Sequence, residues 1–208
     1  MTGQWHFTDK PDAVPTADRH YRWGFSIAGM DGKFSGFLWF KDPRKFGTIQ
    51  WVPALSDCAG LSKLGPDGLT LHEPKVVFQI IKAAERTRRP IKNFLLDQGI
   101  LAGVGNIYAA EVLFDAKISP FAQANTLPAS KIEEICYRLY TIFKNAIDMG
   151  GSSVSDYAGG EYQLYHRVYG REGKGCYECN TKIARIIQSG RSTFYCLKCQ
   201  GVEINELP

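Results

Sequence analysis

The sequence predicts an α+β protein built from three successive parts. Residues 4–52 carry short apolar runs that are rich in β-branched and aromatic residues. From Pro74 onward the apolar residues recur at helical spacing instead. Two Cys-x-x-Cys pairs then flank a strand-like segment near the C-terminus. We therefore expect antiparallel strands, then helices, then a small cysteine-held hairpin. The expected boundaries are 1–72, 73–151, a loop at 152–163, and 164–208.

The bulk composition allows a buried core and leaves the class of partner open. The chain has 208 residues, 44% of them hydrophobic, and a net charge of only +4. Basic residues nevertheless cluster at 82–92, where Glu85 is the one acid. Such a patch suits phosphate binding. The alternative is that these lysines and arginines only form the solvent-facing surface of helices and bind no ligand.

Targeting and membrane signals are absent from the printed sequence. Residues 1–10 are polar and lack the apolar stretch of a signal peptide. The weakly charged run at 99–114 is too short to cross a bilayer. We therefore expect a cytoplasmic protein with no membrane association.

The strands of the first part are predicted from alternation. Trp23, Phe25 and Ile27 alternate with other residues, and further short runs occur at 34–40 and 49–52. The segment 42–47, Asp-Pro-Arg-Lys-Phe-Gly, separates two of these runs as a turn. Because the first run opens almost at residue 1, we expect the remnant of an antiparallel β-sandwich.

Proline and glycine mark the first three predicted helices. Pro74 suits the first position of a helix, and Pro90 opens a short second helix that stops near Gly99. A third helix is predicted after Gly105.

A fourth helix is predicted from Ser130, where Ser130 and Glu133 have the spacing of a capping box. Gly150 and Gly151 would end it. Its apolar positions form one face, which we interpret as core and not as a cofactor site: Ile132, Ile135, Cys136, Leu139, Ile142, Phe143, Ala146 and Ile147.

The cysteine pairs predict a structural metal site. The four ligands are Cys176, Cys179, Cys196 and Cys199, with 16 residues between the pairs. Zn²⁺ prefers four thiolates in a tetrahedron, and each Cys-x-x-Cys turn supplies two. Two redox pairs are the alternative, but no βαβ pattern surrounds them. We expect one structural Zn²⁺ ion, with strands at 183–187 and 192–195 between the pairs. Cys58 and Cys136 are interpreted as ordinary buried thiols.

A glycine-rich turn joins the second and third predicted helices at 101–108. Gly103 and Gly105 can adopt positive φ and allow another backbone to approach closely. Asn106 opens the next helix, whose free N–H groups favour an anion. The alternative is that Asn106 is only an N-cap, with the glycines serving a close helix crossing.

The order of these pieces resembles the formamidopyrimidine-DNA glycosylase/endonuclease VIII family over essentially the whole chain. The motifs that carry the resemblance lie at 1–3, 42–47, 64–66, 91–98, 103–109, 168–171 and 190–196. This resemblance implies a helix–two-turn–helix module and a zinc finger that clamp damaged duplex DNA. Such enzymes rotate the lesion base out of the stack.

The resemblance also assigns DNA contacts to individual residues. Met1, Arg44 and Phe46 match side chains that fill the space left by the extruded base. Lys92 and Asn106 match residues that hold phosphate at the extruded nucleotide. Arg191, on the tip of the finger, matches another phosphate contact.

The catalytic residues of the family have no counterpart in these 208 residues. Relatives open with an additional segment that starts Pro-Glu and contains an active-site lysine. The proline amine attacks the sugar to form a Schiff base. The loop at 152–160 is also shorter than in oxoguanine-specific relatives, which argues against specificity for purine lesions.

Three functions are compatible with these patterns. The first is the C-terminal three-quarters of a bifunctional DNA glycosylase/AP lyase, begun at an internal Met. The second is a truncated paralogue that binds damaged or abasic DNA without cutting. The third is an unrelated zinc-ribbon protein, which would explain the cysteines but not residues 44–47 or 103–108. For the first two, we expect a monomer that binds double-stranded DNA with an oxidised base or abasic site.

Overall fold

The computed structural model describes residues 3–10, 14, 17–150 and 165–202. The chain divides into two compact units, one ending at Pro53 and the other beginning at Ala54. The sequence interpretations of Met1 and of the loop at 152–163 lie outside the described residues.

The first unit is a three-stranded antiparallel sheet. Its strands are β1 (Gln4–Thr8), β2 (Tyr21–Ala28) and β3 (Phe34–Lys41), in the order β1-β3-β2. Phe40 of β3 lies opposite both Trp5 and Trp23, and each of those rings is centred 4.9 Å from it. Aromatic contacts across the three strands, tilted at Trp5 and stacked at Trp23, therefore support the register of the sheet.

The strand expected at 49–52 is wrong. Residues 42–54 form no strand, and the side chains of Ile49 and Trp51 are 50% and 86% exposed. A strand is stable only with a hydrogen-bonded neighbour, and none of the described residues pairs with this segment.

The second unit begins with four α-helices. They are α1 (Pro74–Glu85), α2 (Ile91–Leu95), α3 (Asn106–Asp115) and α4 (Ala129–Asp148). Their core is closed by fully buried side chains such as Phe94, Leu113 and Leu139. The predicted core face of α4 is confirmed apart from Ile147, which is 59% exposed. No helix among the described residues is long and apolar enough to cross a membrane.

The capping box expected at Ser130 is not formed. The N-cap of α4 is Pro128, whose carbonyl accepts from the backbone N–H of Lys131 at 2.9 Å and of Ile132 at 3.3 Å. Ser130 is therefore already inside the helix, and no side chain caps this end. The helix begins earlier than predicted because Pro128 keeps an extended conformation, with φ −63° and ψ 150°.

A two-stranded hairpin closes the described part of the second unit, as the sequence predicts. β4 (Ala184–Gln188) pairs antiparallel with β5 (Arg191–Tyr195), and Gln188 lies opposite Arg191 at the end of the ladder. Ser189 and Gly190 form the connecting turn with φ of 48° and 75°. Two positive φ values are typical of the type I′ turn that joins twisted strands.

The hairpin and the helices share a core. Phe114 of α3 is fully buried in a cluster with Val168 and Phe194. Two of the four paired cysteines, Cys176 and Cys196, belong to the same cluster. The cysteine-held segment therefore packs directly on α3.

Candidate metal centre and nucleic-acid interface

The four paired cysteines converge at one point. All their Sγ atoms lie within 4.8 Å of one another, with Cys176 and Cys199 3.8 Å apart and Cys179 and Cys196 3.4 Å apart. Thiolates bound to one tetrahedral zinc ion at about 2.3 Å lie roughly 3.8 Å from each other. The cluster fits a zinc site with four sulfur ligands.

Hydrogen bonds and stacking shape the first cysteine turn. Cys176 donates its backbone N–H to the carbonyl of Thr181 at 2.9 Å. Hydrogen bonds from Thr181 lower the pKa of the Cys179 thiol to about 6, whereas burial raises the pKa values of the Cys196 and Cys199 thiols. The Arg171 guanidinium lies 3.4 Å from the centre of the Tyr177 ring and covers this turn.

The two remaining cysteines lie outside the cluster. Cys136 is buried in the helical core, as expected. Burial raises the pKa of its thiol to about 12, which disfavours the reactive thiolate. Cys58 is only half-buried, which corrects the expectation that both are buried thiols. It follows the short 3-10 helix Leu55–Asp57 and does not belong to the buried helical core.

Three of the residues assigned to DNA contacts meet at the tip of the hairpin. The Lys92 ammonium donates to the backbone carbonyl of Ser192 at 3.2 Å, and the Asn106 amide donates to the same oxygen at 2.9 Å. Arg191 is the preceding residue of β5 and is exposed. We call this group of four residues the Ser192 junction. It joins α2, the first residue of α3 and the hairpin.

The electrostatics of the Ser192 junction favour an anion. Lys92 is fully buried, and burial together with the nearby charge of Arg191 lowers the pKa of its ammonium group to about 8. Within residues 17–150 and 165–202, neither Lys92 nor Arg191 forms an ion pair with a carboxylate. The Oδ1 atom of Asn106 is also buried without a hydrogen bond there. Two cations held together without a counterion would be stabilised by a phosphate.

The glycine turn before α3 differs from its prediction in two ways. Gly103 has φ +89°, but Gly105 is extended, with φ −99° and ψ 178°, and is itself the N-cap of α3. Asn106 is therefore the first helical residue and not the N-cap, which frees its side chain to reach the hairpin.

The glycines also do not serve a close helix crossing, because a Cβ atom at Gly103 or Gly105 would meet nothing within 4 Å. Gln98 holds the turn instead. It accepts from the Gly103 N–H at 3.0 Å and donates to the Val104 carbonyl at 2.9 Å. The backbone of this turn is thus fixed and open to a ligand.

In the first unit, Arg44 and Phe46 lie on a loop that Asp42 organises. The Asp42 carboxylate is 3% exposed and accepts the backbone N–H groups of Gly47 at 2.7 Å and Arg44 at 3.2 Å. These bonds, that from Gly47 first, hold the pKa of Asp42 below its usual value. Lys45 adopts φ 60°, and the Phe46 side chain is 72% exposed with the Arg44 guanidinium 5.6 Å from its ring centre. The loop presents an aromatic and a cationic side chain together.

The basic patch predicted at 82–92 is weaker than its composition indicates. Lys82 forms an ion pair with Glu85 at 2.7 Å, and Arg89 forms one with Asp97 at 2.9 Å. Lys92 is buried, so Arg86 and Arg88 remain as the exposed cations without an acidic partner in the described structure. The count over 82–92 did not include Asp97 because it lies beyond that stretch, just after the end of α2.

Glu111 is the main polar residue that sequence reasoning missed. Its carboxylate is 5% exposed and accepts three successive backbone N–H groups, those of Arg167, Val168 and Tyr169, at 2.8–3.1 Å. Burial raises the pKa of Glu111, although the three hydrogen bonds act in the opposite direction. An acid in the middle of α3, among the apolar residues Ala109, Ala110, Val112 and Leu113, was the available signal.

Comparison with protein families gives a match to the helical segment of the second unit. The family described as the formamidopyrimidine-DNA glycosylase H2TH domain matches residues 64–158. The formamidopyrimidine-DNA glycosylase of Herpetosiphon aurantiacus is 40% identical over an alignment that covers 97% of this chain and 72% of that protein. The corresponding protein of Sphingopyxis alaskensis is 40% identical over 78% of this chain. The chain spans only 62% of that relative and 59% of the one from a Ruegeria species.

Solved structures agree with this assignment. A MutM protein in complex with DNA containing carbocyclic 8-oxo-G has a TM-score of 0.83 and 31% identity, covering 97% of this chain and 72% of that one. The Fpg protein of Lactococcus lactis in complex with abasic-site DNA has a TM-score of 0.82 and 29% identity, with coverages of 97% and 73%. The fold, the four-cysteine cluster and these similarities together show that the chain belongs to the formamidopyrimidine-DNA glycosylase family.

Proposed function

We propose that this protein acts in base-excision repair. It would bind the phosphates of double-stranded DNA that carries an oxidised base or an abasic site. The observation that carries the proposal is the Ser192 junction, where Lys92, Asn106 and Arg191 converge without a counterion among the described residues. Similar solved proteins are complexes with 8-oxo-G and abasic-site DNA, which supports the proposal. Phosphate contacts position a protein on DNA and do not themselves read sequence.

The loop of Arg44 and Phe46 would supply the second half of the function. When a base leaves the duplex, the gap loses stacking that an inserted side chain can replace. An exposed phenylalanine beside a guanidinium, on a loop fixed by Asp42, suits that role. Met1 is assigned to the same task by resemblance alone.

The four-cysteine cluster would hold one Zn²⁺ ion in a structural role. Four sulfur ligands leave no open coordination position, so the metal would not activate water. When bound, the ion would fix the two cysteine turns from which β4 and β5 extend. The hairpin would then keep Arg191 and Ser192 in place at its tip.

The activity proposed for the complete family member is removal of oxidised bases, followed by strand cleavage through an AP-lyase step. The attacking amine of that reaction is assigned by resemblance to the opening proline of relatives. No proline in these 208 residues matches that position. We therefore propose DNA binding for the residues at hand and assign no catalytic residue among them.

The metal proposal predicts the behaviour of two cysteine variants. Wild type should contain one zinc per chain by atomic absorption, and Cys179→Ala should lose it and bind duplex DNA at least about tenfold more weakly, since zinc binding and folding of such sites are coupled. Cys58→Ala is the matched control and should retain both zinc and affinity. Full affinity of Cys179→Ala without metal would contradict the proposed role.

Phosphate binding at the junction predicts a change in salt dependence. Replacing Arg191 by Ala should reduce the slope of log affinity against log salt by about one, because one fewer counterion is released. The loss should be similar on duplexes of unrelated sequence. Lys144→Ala removes an exposed cation of α4 outside the junction and should leave the slope unchanged. Equal slopes for wild type and Arg191→Ala would exclude Arg191 from the interface.

The lowered pKa of Lys92 predicts a dependence on pH. Phosphate binds the protonated amine, so affinity should fall as pH rises from 7 to 9.5, by up to about tenfold if phosphate raises that pKa by one unit. The Lys92→Met variant should lack this component. The pKa of about 8 lies below the ordinary value of 10.5, so over that interval this group makes the free protein more stable as pH rises. Melting temperatures measured in parallel therefore separate lost binding from unfolding.

The absence of an assigned nucleophile predicts the outcome of borohydride trapping. The 208-residue protein should shift an abasic duplex in a gel yet form little covalent adduct, because unpositioned and mostly protonated amines lose the advantage of proximity. Efficient trapping would show that a nucleophile exists among the residues present. Repeating the reaction with Lys92→Met would then test the amine with the lowered pKa first.

A further inference from the structure

A chain of buried polar groups runs from Lys92 through the hairpin to the loop between α3 and α4. The Lys92 ammonium donates to the Thr193 hydroxyl at 2.7 Å, and that hydroxyl donates to the Gln188 side-chain oxygen at 3.0 Å. The Gln188 amide then donates to the Pro120 carbonyl at 3.3 Å. Each link uses a donor on one element and an acceptor on the next, from α2 to β5, β4 and the loop.

Burial makes each link of this chain costly to break. Lys92 and Thr193 are fully buried, and Gln188 is 7% exposed. A buried ammonium or amide left without a partner is destabilised by the full loss of its hydration. The hydroxyl of Thr193 is the central link, because it accepts from Lys92 while it donates to Gln188.

The position of the chain connects it with the Ser192 junction. Gln188 lies opposite Arg191 in the hairpin ladder, and Thr193 follows the residue whose carbonyl Lys92 and Asn106 share. A pair of apolar side chains would pack at these strand positions at lower cost if only hairpin stability mattered. The polar side chains at these positions instead bond the Lys92 amine to β5, β5 to β4, and β4 to the loop before α4.

We propose that Thr193 and Gln188 are positioning residues, which hold the Lys92 amine and the hairpin tip so that Lys92, Asn106 and Arg191 act on one phosphate group. This inference rests on the proposed function for its DNA-binding consequence. The polar chain itself does not depend on DNA and can be measured in the free protein.

The first test uses Thr193→Val, which keeps the shape of the side chain and removes its hydroxyl. Amide hydrogen exchange at Arg191, which lies opposite Gln188 at the end of the ladder, should become about tenfold faster in the free protein, the effect of losing a hydrogen bond and exposing the hairpin to opening. Thr193→Ser restores the hydroxyl and should restore the slow exchange. Thr141→Val removes an exposed hydroxyl of α4 and serves as the matched control. Exchange unchanged in Thr193→Val would overturn the proposal.

The second test asks whether Thr193 acts on DNA through Lys92. Thr193→Val should weaken binding to an abasic duplex about tenfold in the wild-type background and by a smaller factor in the Lys92→Met background, where only its hold on the hairpin tip is lost. Equal losses in both backgrounds would overturn the positioning role. Gln188→Leu gives a second variant with the same expected pattern, should the valine variant fold poorly. Zinc content is measured in every variant and should stay at the wild-type value.

The two tests distinguish failure of this inference from failure of the proposed function. If wild type does not bind DNA, the proposed function fails, and the exchange measurements still decide whether the polar chain holds the hairpin. If wild type binds DNA and Thr193→Val exchanges and binds like wild type, the proposed function stands and the positioning role is excluded.

Discussion

The buried carboxylate of Glu111 is the interaction on which the arrangement of the second unit depends. It lies inside α3 and accepts the N–H groups of three successive residues that lead into the cysteine-held segment. No apolar side chain could accept hydrogen bonds from three successive amides at one point. Burial raises its pKa by disfavouring the charged form, whereas those amides and the nearby charge of Arg167 favour the carboxylate. The position of residues 167–169 against α3, where the cysteine-held segment begins, follows from this requirement.

A single helix thereby supports the hairpin at three levels. Asn106 at the start of α3 holds the hairpin tip, Glu111 in its middle holds the entering chain, and Phe114 near its end packs among the cysteines. The cysteine cluster alone would leave the hairpin free to pivot about its base. Contacts along α3 remove that freedom, so Arg191 is placed with respect to the glycine turn at Gly103 as well as to the cysteines.

Local sequence patterns predicted the elements of this fold better than their polar connections. The four helices, the hairpin and the four cysteines follow from spacing and from proline and glycine positions, which depend on near neighbours in sequence. The strand expected at 49–52 and the cap expected at Ser130 were wrong because tertiary pairing and the neighbouring Pro128 override such signals. The links of Glu111, Thr193 and Gln188 join residues far apart in sequence, so no local pattern reveals them. Resemblance supplied Lys92 and Asn106 as site residues but not their shared contact with Ser192.

The polar chain explains why a lysine is kept at a fully buried position. Lys92 lies close to Arg191, and both this like charge and the loss of water disfavour its ammonium form. A protein selected for stability alone would replace such a lysine with an apolar residue. Holding it with Thr193 and the Ser192 carbonyl keeps the charge in a fixed direction, so little reorganisation is needed when an anion arrives. The same logic applies to the loop of the first unit, where the Asp42 carboxylate fixes the backbone so that Phe46 can stay exposed. In both places a buried polar group holds a side chain in a state that folding alone would not favour, which supports the proposed DNA contacts of Lys92 and Phe46.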